Sequence, residues 1–188
     1  MVDRTPIVAV FGSSQTRDSE PGYAEATRLG HRLGEMGFAV ANGGYGGTME
    51  AVSAGARAAG ARVLGVTAPS LFPMRGGGNP HLTEETHAET LGERIATLVN
   101  MADATIALPG SLGTAAELIV AWNDNFVASR AGGRHRPQFA VGPAWQELVE
   151  LLGARVDADS SLVECVADVD QAADRLGVIL SGRREMRA

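Results

Sequence analysis

The stretch "PIVAVFG", residues 6–12, decides the fold. Five consecutive apolar residues are followed by a glycine. An apolar run that does not alternate with polar side chains is typical of a strand buried on both faces of a parallel sheet. Gly12 then marks a turn that leaves the sheet. This segment therefore predicts a parallel sheet that is covered by helices on both sides.

Outward from this strand, the chain alternates between helical and extended patterns. Further strands are predicted at residues 38–41, 62–67, 103–110, 137–142 and 160–166. Helices are predicted at residues 23–36, 49–59, 89–100, 114–127, 144–152 and 169–180. Since parallel strands are joined by right-handed crossovers, the order predicts an α/β protein, a single-domain doubly wound, Rossmann-like, mostly parallel sheet with helices on both faces. We expect the domain to span residues 1–182 and residues 183–188 to form a disordered basic tail.

Composition excludes several kinds of chemistry. All 16 basic residues are arginine, and the chain contains no lysine. Pyridoxal phosphate enzymes, Schiff-base aldolases and Walker A phosphate loops all require a lysine, so these classes are excluded. The net charge of −6 argues against nucleic-acid partners, because binding to a phosphate backbone needs a positive surface.

No apolar run is long enough to span a membrane, and no signal peptide is recognisable, so we expect a cytoplasmic protein that does not bind membranes. The four histidines lack metal-ligand spacing, and no metal site is predicted. The single cysteine, Cys165, is interpreted as a strand residue without a chemical role. Trp122 and Asn123 could line a base pocket, although an aromatic residue at this helical spacing is more often part of the core.

Three glycine-rich turns follow predicted strands and precede predicted helices. They are "GSSQT" after the first strand, "NGGYGGTM" after the second and "PGSLGT" after the strand at residues 103–110. Turns of this kind at the carboxyl ends of parallel strands direct backbone N–H groups and helix N-termini at an anion. Together they predict a phosphate-bearing ligand. A dinucleotide is excluded, because the first turn lacks G-x-G-x-x-G spacing and the second strand ends on Asn42 rather than on an acidic residue.

The segment "LPGSLGTAAE", residues 108–117, resembles the P-G-G-x-G-T-x-x-E motif of the Lonely Guy family. Members of this family, often mislabelled lysine decarboxylases, are phosphoribohydrolases that cleave nucleoside 5′-monophosphates. "VFGSS", "NGGYGGTMEAV", "LGERIATLV" and "ADATIALPG" are similar to further family segments in the same order. The resemblance extends over residues 7–122 and is loose beyond them.

The resemblance implies a role for each matching residue. Glu117 is the implied catalytic carboxylate, and Arg94 is its partner at the ligand. The implied substrate contacts are Ser13, Ser14, Gly43, Gly44, Gly46, Gly47, Gly110, Ser111, Gly113 and Thr114. No metal or organic cofactor is implied, and the family's active site is completed by a second subunit, which implies a homodimer. Ser111, Glu50 and Ile95 depart from the family pattern, and these departures affect the choice of substrate more than the reaction.

The residues themselves support this chemistry. Cleavage of an N-glycosidic bond passes through an oxocarbenium-like transition state, which a carboxylate beside the anomeric carbon stabilises. The expected activity is hydrolysis of a nucleoside 5′-monophosphate, with adenine or a cytokinin-type base, to the free base and ribose 5-phosphate. Because Thr114 and Glu117 also fit a helix capping box, a non-catalytic nucleotide sensor or a carrier of a small anion is the alternative. Arg75, in the loop at residues 68–80, could close over a phosphate, although it fits a solvated loop arginine better.

Overall fold

The computed structural model describes residues 5–133 and 135–185, which form one α/β domain. Its seven strands form a single sheet in the order β4-β3-β2-β1-β5-β6-β7, and every adjacent pair is parallel. The strands are β1 Ile7–Phe11, β2 Ala39–Asn42, β3 Val63–Thr67, β4 Glu84–His87, β5 Ala104–Ala107, β6 Gln138–Val141 and β7 Glu164–Val166. The doubly wound fold predicted from the sequence is confirmed.

Six α-helices cover the two faces of the sheet. They are α1 Pro21–Glu35, α2 Thr48–Ala58, α3 Leu91–Met101, α4 Leu112–Arg130, α5 Pro143–Arg155 and α6 Val169–Glu185. One face packs against α1, α2 and α6, and the other packs against α3, α4 and α5. β1 is buried along its whole length, as its uninterrupted apolar sequence predicts.

The crossover direction reverses between β1 and β5. β1 leads through α1 to β2 on one side, whereas β5 leads through α4 to β6 on the other. Because the two connections diverge, a crevice opens between the carboxyl ends of β1 and β5, where doubly wound sheets bind ligands. The glycine turns after β1, β2 and β5 all lie at this edge of the sheet.

Three elements differ from their sequence predictions. β4 was not predicted, because all four of its residues are exposed and it lacks an apolar pattern. The strand predicted at residues 160–166 begins instead with a 3₁₀ turn, Ser160–Leu162, and only Glu164–Val166 pairs with β6. The helix predicted to start at Thr114 starts at Leu112, after Ser111.

The C-terminal helix continues beyond the expected domain boundary at residue 182. α6 extends to Glu185, so three residues of the expected tail continue this helix. Residues 186–188 of the expected tail lie outside the described residues. None of the described helices combines the length and apolar composition that a bilayer span requires.

Candidate active site

Arg94 and Glu117 form a buried ion pair at the carboxyl edge of the sheet. Arg94 lies on α3 and Glu117 on α4, and Nη1 of Arg94 donates to Oε1 of Glu117 at 3.3 Å. Only 6% of Arg94 and 7% of Glu117 is exposed. The two residues that the family resemblance paired are therefore in contact, although 23 positions separate them in the chain.

Arg94 is fixed by two backbone carbonyls in addition to Glu117. Its Nε donates to the Val66 carbonyl at 2.7 Å, and its Nη2 donates to the Gly43 carbonyl at 2.9 Å. The start of its helix is also fixed, because Thr90 accepts from the Glu93 N–H and the Glu93 carboxylate accepts from the Glu89 N–H. This N-cap sets the position from which Arg94 reaches the site.

Burial disfavours the charged forms of both partners. It raises the pKa of Glu117 to about 7, against a smaller opposing effect of the Arg94 charge. Burial likewise lowers the pKa of Arg94 from its ordinary value, with the Glu117 charge acting in the opposite direction. The cost of desolvation thus exceeds the attraction between the partners. Glu117 can therefore exchange a proton near neutral pH, which suits a group that acts in proton transfer.

The turn after β2, residues 43–47, packs closely against its surroundings. A side chain at Gly43 would lie 1.7 Å from Nη2 of Arg94. Gly44 and Gly47 have positive φ values of 76° and 71°, which favour glycine, and a side chain at Gly47 would collide with the Ser13 carbonyl. A side chain at Gly46 would meet only the Glu50 carboxylate, at an ordinary contact distance of 3.7 Å. Three of the four predicted ligand glycines in this turn are therefore required by the protein's own packing.

Two buried asparagines hold the turn after β2 in place. Asn42 accepts from the Gly44 N–H at 2.8 Å and donates to the Ser53 hydroxyl at 2.9 Å. The Asn79 amide donates to the Gly44 and Tyr45 carbonyls. Sequence reasoning assigned no role to Asn42 or Asn79, because a single asparagine beside a glycine turn carries no distinctive signal. These contacts join the β2 turn to the chain just before β4.

The turn after β1 is hydrogen-bonded to the start of α2, directly after the β2 turn. The Ser13 carbonyl accepts from both the backbone N–H and the hydroxyl of Thr48, at 2.9 and 3.2 Å. Gly12 is required here, because a side chain would lie 2.1 Å from the Thr48 hydroxyl oxygen. Ser13 thus acts through its backbone at the start of α2, whereas the hydroxyl of Ser14 lies beside the guanidinium of Arg75.

The turn after β5, residues 110–114, is more open. Nothing but the Ser111 hydroxyl, 3.9 Å away, lies near the place of a side chain at Gly113. Thr114 is 1% exposed, and within the described part of the chain its hydroxyl has no hydrogen-bond partner. A side chain at Gly110 would collide with that hydroxyl. This turn therefore combines an exposed glycine with a buried hydroxyl that has no hydrogen-bond partner among the described residues.

The capping-box interpretation of Thr114 and Glu117 is wrong. α4 already starts at Leu112, so Thr114 lies inside the helix and its hydroxyl caps nothing. Glu117 lies in the second turn of α4 and contacts Arg94 instead of the free N–H groups at the helix start. Helix capping therefore does not explain why Glu117 is buried.

Tyr45 and Arg75 also lie close to the ion pair. The sequence analysis gave Tyr45 no role and favoured a solvated loop arginine for Arg75. The Tyr45 ring has the Arg94 guanidinium 5.8 Å from its centroid and the Arg75 guanidinium 4.9 Å from it, and its hydroxyl accepts from the Ala68 N–H. Arg75 is exposed, but it also stacks on Phe72 at 4.2 Å. The sequence did contain one indication of this role, since Tyr45 is an aromatic residue inside the glycine-rich segment "NGGYGG".

Trp122 and Cys165, which the sequence analysis also considered, have structural roles. Trp122 is buried in the core, and its indole N–H donates to the Asp159 carbonyl. Cys165 lies on β7, and burial raises the pKa of its thiol, which makes the reactive thiolate scarce. Within residues 5–133 and 135–185, no cluster of side chains is suited to hold a metal ion.

A family model for the SLOG cluster4 family matches residues 5–128, which include all three glycine turns and the Arg94–Glu117 pair. The chain belongs to this family. The Lonely Guy resemblance is confirmed as well, since curated relatives of this SLOG member carry Lonely Guy names.

Two relatives illustrate the match. The probable cytokinin riboside 5′-monophosphate phosphoribohydrolase LOG4 of Oryza sativa subsp. japonica is 39% identical over 128 residues, which cover 61% of this chain and 51% of the rice protein. The cytokinin riboside 5′-monophosphate phosphoribohydrolase of Mycobacterium tuberculosis is 32% identical over 133 residues, covering 66% of this chain and 67% of the relative. The chain thus spans about half the length of the rice relative.

Solved structures share the fold over nearly the full chain. The molybdenum cofactor binding protein of Rippkaea orientalis has a TM-score of 0.75 at 20% identity, covering 95% of this chain and 99% of that protein. The molybdenum cofactor carrier protein of Chlamydomonas reinhardtii has a TM-score of 0.74 at 22% identity, with the same coverage. At these identities the likeness establishes the architecture of the SLOG member and nothing about its ligand.

Proposed function

We propose that this protein hydrolyses the N-glycosidic bond of a nucleoside 5′-monophosphate, releasing the free base and ribose 5-phosphate. The observation that carries the proposal is the buried Arg94–Glu117 pair beside the crevice between β1 and β5. Relatives with 32% and 39% identity are named as phosphoribohydrolases of cytokinin riboside 5′-monophosphates, which supports the same reaction class. Adenine or a cytokinin-type adenine is the proposed base.

Glu117 is the proposed catalytic carboxylate. As the bond between the anomeric carbon and the base nitrogen lengthens, positive charge develops on the ribose ring, and an ionised Glu117 stabilises it. Water then adds its oxygen to the anomeric carbon and gives its proton to Glu117. That proton passes on to the base nitrogen released by bond cleavage, so the free base leaves neutral and Glu117 is ionised again. A carboxyl group with a pKa near 7 is suited to this transfer, because it gains and loses a proton at small cost at neutral pH.

Arg94 is the proposed positioning partner of Glu117. Its three hydrogen bonds hold the guanidinium in one orientation, so that it fixes Oε1 of Glu117 and biases the carboxyl group toward its ionised form. The phosphate is proposed to lie against the glycine turns, where the Thr114 hydroxyl offers an unused hydrogen-bonding group. No metal ion or organic cofactor enters this mechanism.

A homodimer is part of the proposal. Large apolar side chains on α3 and α4 are exposed, namely Leu91, Leu112, Ile119 and Val120. They lie on the two helices that carry Arg94 and Glu117, so a second copy packed there would bury apolar surface beside the site. Light scattering of the purified protein tests this element directly, and a monomer at micromolar concentration would contradict it.

The experiment that tests the proposed reaction uses a panel of nucleoside 5′-monophosphates, including a prenyladenosine monophosphate. Free base and ribose 5-phosphate are measured for the wild type, for Glu117→Gln and for Glu147→Gln, an exposed glutamate on α5 that serves as the matched control. Release by the wild type and Glu147→Gln, with a loss of about 100- to 10,000-fold in Glu117→Gln, would support the hydrolase.

The opposite outcome supports the alternative class. If no panel member is cleaved and both Glu117→Gln and the wild type bind nucleotide with equal affinity, the protein is a nucleotide sensor or a carrier of a small anion. The buried ion pair would then serve the architecture of the binding site and not a reaction.

A further inference from the structure

A small open cavity lies beside the Tyr45 ring, which the Arg94 guanidinium also approaches, 5.8 Å from its centroid. Its volume is about 160 Å³, and it is lined by Ser14, Gln15, Tyr45, Gly46 and Arg75. The lining side chains are therefore polar apart from one aromatic ring, and several can donate hydrogen bonds. A cavity with this lining suits an anion better than an apolar group.

Arg75 is held over this cavity by three contacts. Its guanidinium stacks 4.2 Å from the centroid of Phe72 and 4.9 Å from that of Tyr45, and Nη2 donates to the Ser14 hydroxyl at 3.3 Å. Phe72 and Tyr45 in turn pack edge to face, with their centroids 5.6 Å apart. An exposed arginine without such contacts would sample many rotamers, whereas these contacts limit the orientations of the guanidinium fork.

The glycine turns themselves provide no positive charge to balance the phosphate of a nucleotide. A phosphate monoester carries nearly two negative charges at neutral pH. Arg94 already uses Nε, Nη1 and Nη2 for Val66, Glu117 and Gly43. The turn from Gly110 to Thr114 contains no charged residue. Arg75, in contrast, is charged, exposed and placed at a cavity wall.

We propose that Arg75 is a phosphate-binding residue, which donates its guanidinium fork to the substrate's 5′-phosphate from the cavity that it shares with Ser14. This inference rests on the proposed function for the identity of the ligand. Arg75 and Arg94 both lie against the Tyr45 ring, 4.9 and 5.8 Å from its centroid, so an anion bound by Arg75 lies a short distance from the Arg94–Glu117 pair. A ribose can bridge such a gap, because it separates the 5′-phosphate from the anomeric carbon.

The inference assigns different parts of the ligand to the two arginines. Arg94 orients the carboxyl group at the reacting carbon, and Arg75 binds the phosphate. Loss of Arg75 should therefore weaken the binding of phosphorylated ligands and leave the binding of the unphosphorylated nucleoside unchanged. Charge-assisted bidentate contacts have the strength to produce a change of about 10- to 100-fold in affinity.

The test measures binding by calorimetry, with Glu117→Gln introduced into every protein so that no ligand is consumed. Adenosine 5′-monophosphate, ribose 5-phosphate and adenosine are titrated into the Glu117→Gln protein and into the same protein with Arg75→Gln, Arg75→Lys or Arg130→Gln added. Arg130 is the matched control, since it also stacks on an aromatic ring, Phe126 at 4.5 Å, but lies 13 residues beyond Glu117 on α4.

The expected result is a rise of about 10- to 100-fold in the dissociation constants of both phosphorylated ligands with Arg75→Gln. A smaller rise is expected with Arg75→Lys, which keeps the charge but not the fork. Adenosine binding and the Arg130→Gln protein should be unchanged. Equal affinities in the presence and absence of Arg75, or an equal loss for adenosine, would overturn the inference. Because the readout is binding, failure of the hydrolase proposal alone would leave this result intact.

Discussion

The glycine turns after β2 and β5 look alike in sequence but are built differently. In the β2 turn, residues 43–47, side chains at Gly43, Gly44 and Gly47 would each collide with the protein, and two buried asparagines hold the backbone. In the β5 turn, residues 110–114, Gly113 faces open space and the Thr114 hydroxyl lacks a partner. In the β2 turn, glycine permits close packing of the protein against the backbone. In the β5 turn, Gly113 leaves space beside the backbone unfilled.

The difference in packing supports the proposal that the β2 turn positions the ion pair and that the β5 turn contacts the ligand. The β2 turn presents the Gly43 carbonyl to Arg94 and thereby fixes one half of the ion pair. The β5 turn leads into α4, which carries the other half, Glu117. Arg94–Glu117 is thus the contact that joins the supporting turn to the more open one. Substitutions in the two turns should therefore have different consequences for stability and for function.

The largest effect is expected from Gly43→Ala in the supporting turn. The new methyl group would lie 1.7 Å from Nη2 of Arg94 and 2.7 Å from Sδ of Met49, so the guanidinium must move. We expect unfolding free energy to fall by about 2 to 4 kcal/mol and cleavage to fall roughly 100-fold. Denaturant titration and product release measure the two changes. Wild-type stability in Gly43→Ala would contradict the supporting role.

The ion pair between the turns should make both activity and stability depend on pH. Because the proposed cleavage needs ionised Glu117, its rate should rise about tenfold per pH unit below 7 and level off above it. A rate profile that is flat between pH 5.5 and about 8, measured on a substrate that the wild type cleaves, would exclude Glu117 as the titrating group.

The same pKa shift affects unfolding. The folded-state pKa of Glu117 is raised from the ordinary 4.5 to about 7, so folding favours the protonated form. Its contribution to stability is complete below pH 4.5 and is lost as pH rises through 7, by on the order of 3 kcal/mol. Across this window the unfolding free energy of the wild type should fall by that amount relative to that of Glu117→Gln, which does not titrate. A constant difference in denaturant titrations would contradict the raised pKa.

A moderate effect is expected from Thr114→Val in the more open turn. Valine has nearly the same shape, and the hydroxyl it removes has no hydrogen-bond partner in the described structure. Stability should therefore be unchanged or slightly higher, whereas the affinity for a nucleoside monophosphate should fall about 5- to 10-fold. Thermal unfolding without nucleotide measures the stability, and the shift in melting temperature on adding nucleotide measures the affinity. A loss of stability without a change in affinity would assign Thr114 to the scaffold.

The smallest effect is expected from Gly113→Ala. The added methyl group meets nothing closer than the Ser111 hydroxyl at 3.9 Å, and alanine favours the helical conformation. Unfolding free energy should rise by up to about 1 kcal/mol, which is the opposite sign from Gly43→Ala. Chemical denaturation of the two variants side by side compares the turns most simply. Equal destabilisation by both substitutions would remove the distinction drawn between them.

The sequence predicted the elements whose pattern is set by burial. β1 and β2 are buried at every position, and their apolar runs therefore identified them. β4 was missed, since an exposed edge strand of sequence "EETH" has no apolar face and gains its structure only by pairing with β3. Tertiary pairing of this kind leaves no local pattern in the sequence.

The site was predictable in its members but not in their roles. Arg94 and Glu117 were found through the family resemblance, yet their contact depends on how α3 and α4 pack. The capping-box motif left an alternative open, because a threonine and a glutamate three residues apart fit either a helix start or a site. Arg75 was interpreted as a solvated residue, since stacking on Phe72 and Tyr45 depends on the path of a loop that has no periodic pattern.

One measurement tests the central claim most directly. The wild type and Glu117→Gln are incubated with adenosine 5′-monophosphate, or with the best substrate of the panel, in water labelled with oxygen-18, and the products are analysed by mass spectrometry. The account predicts that the wild type releases the free base and ribose 5-phosphate in equal amounts, with the label in the sugar phosphate, and that Glu117→Gln releases neither. Equal release by Glu117→Gln, or sugar phosphate without the label, would contradict hydrolysis at the Arg94–Glu117 pair.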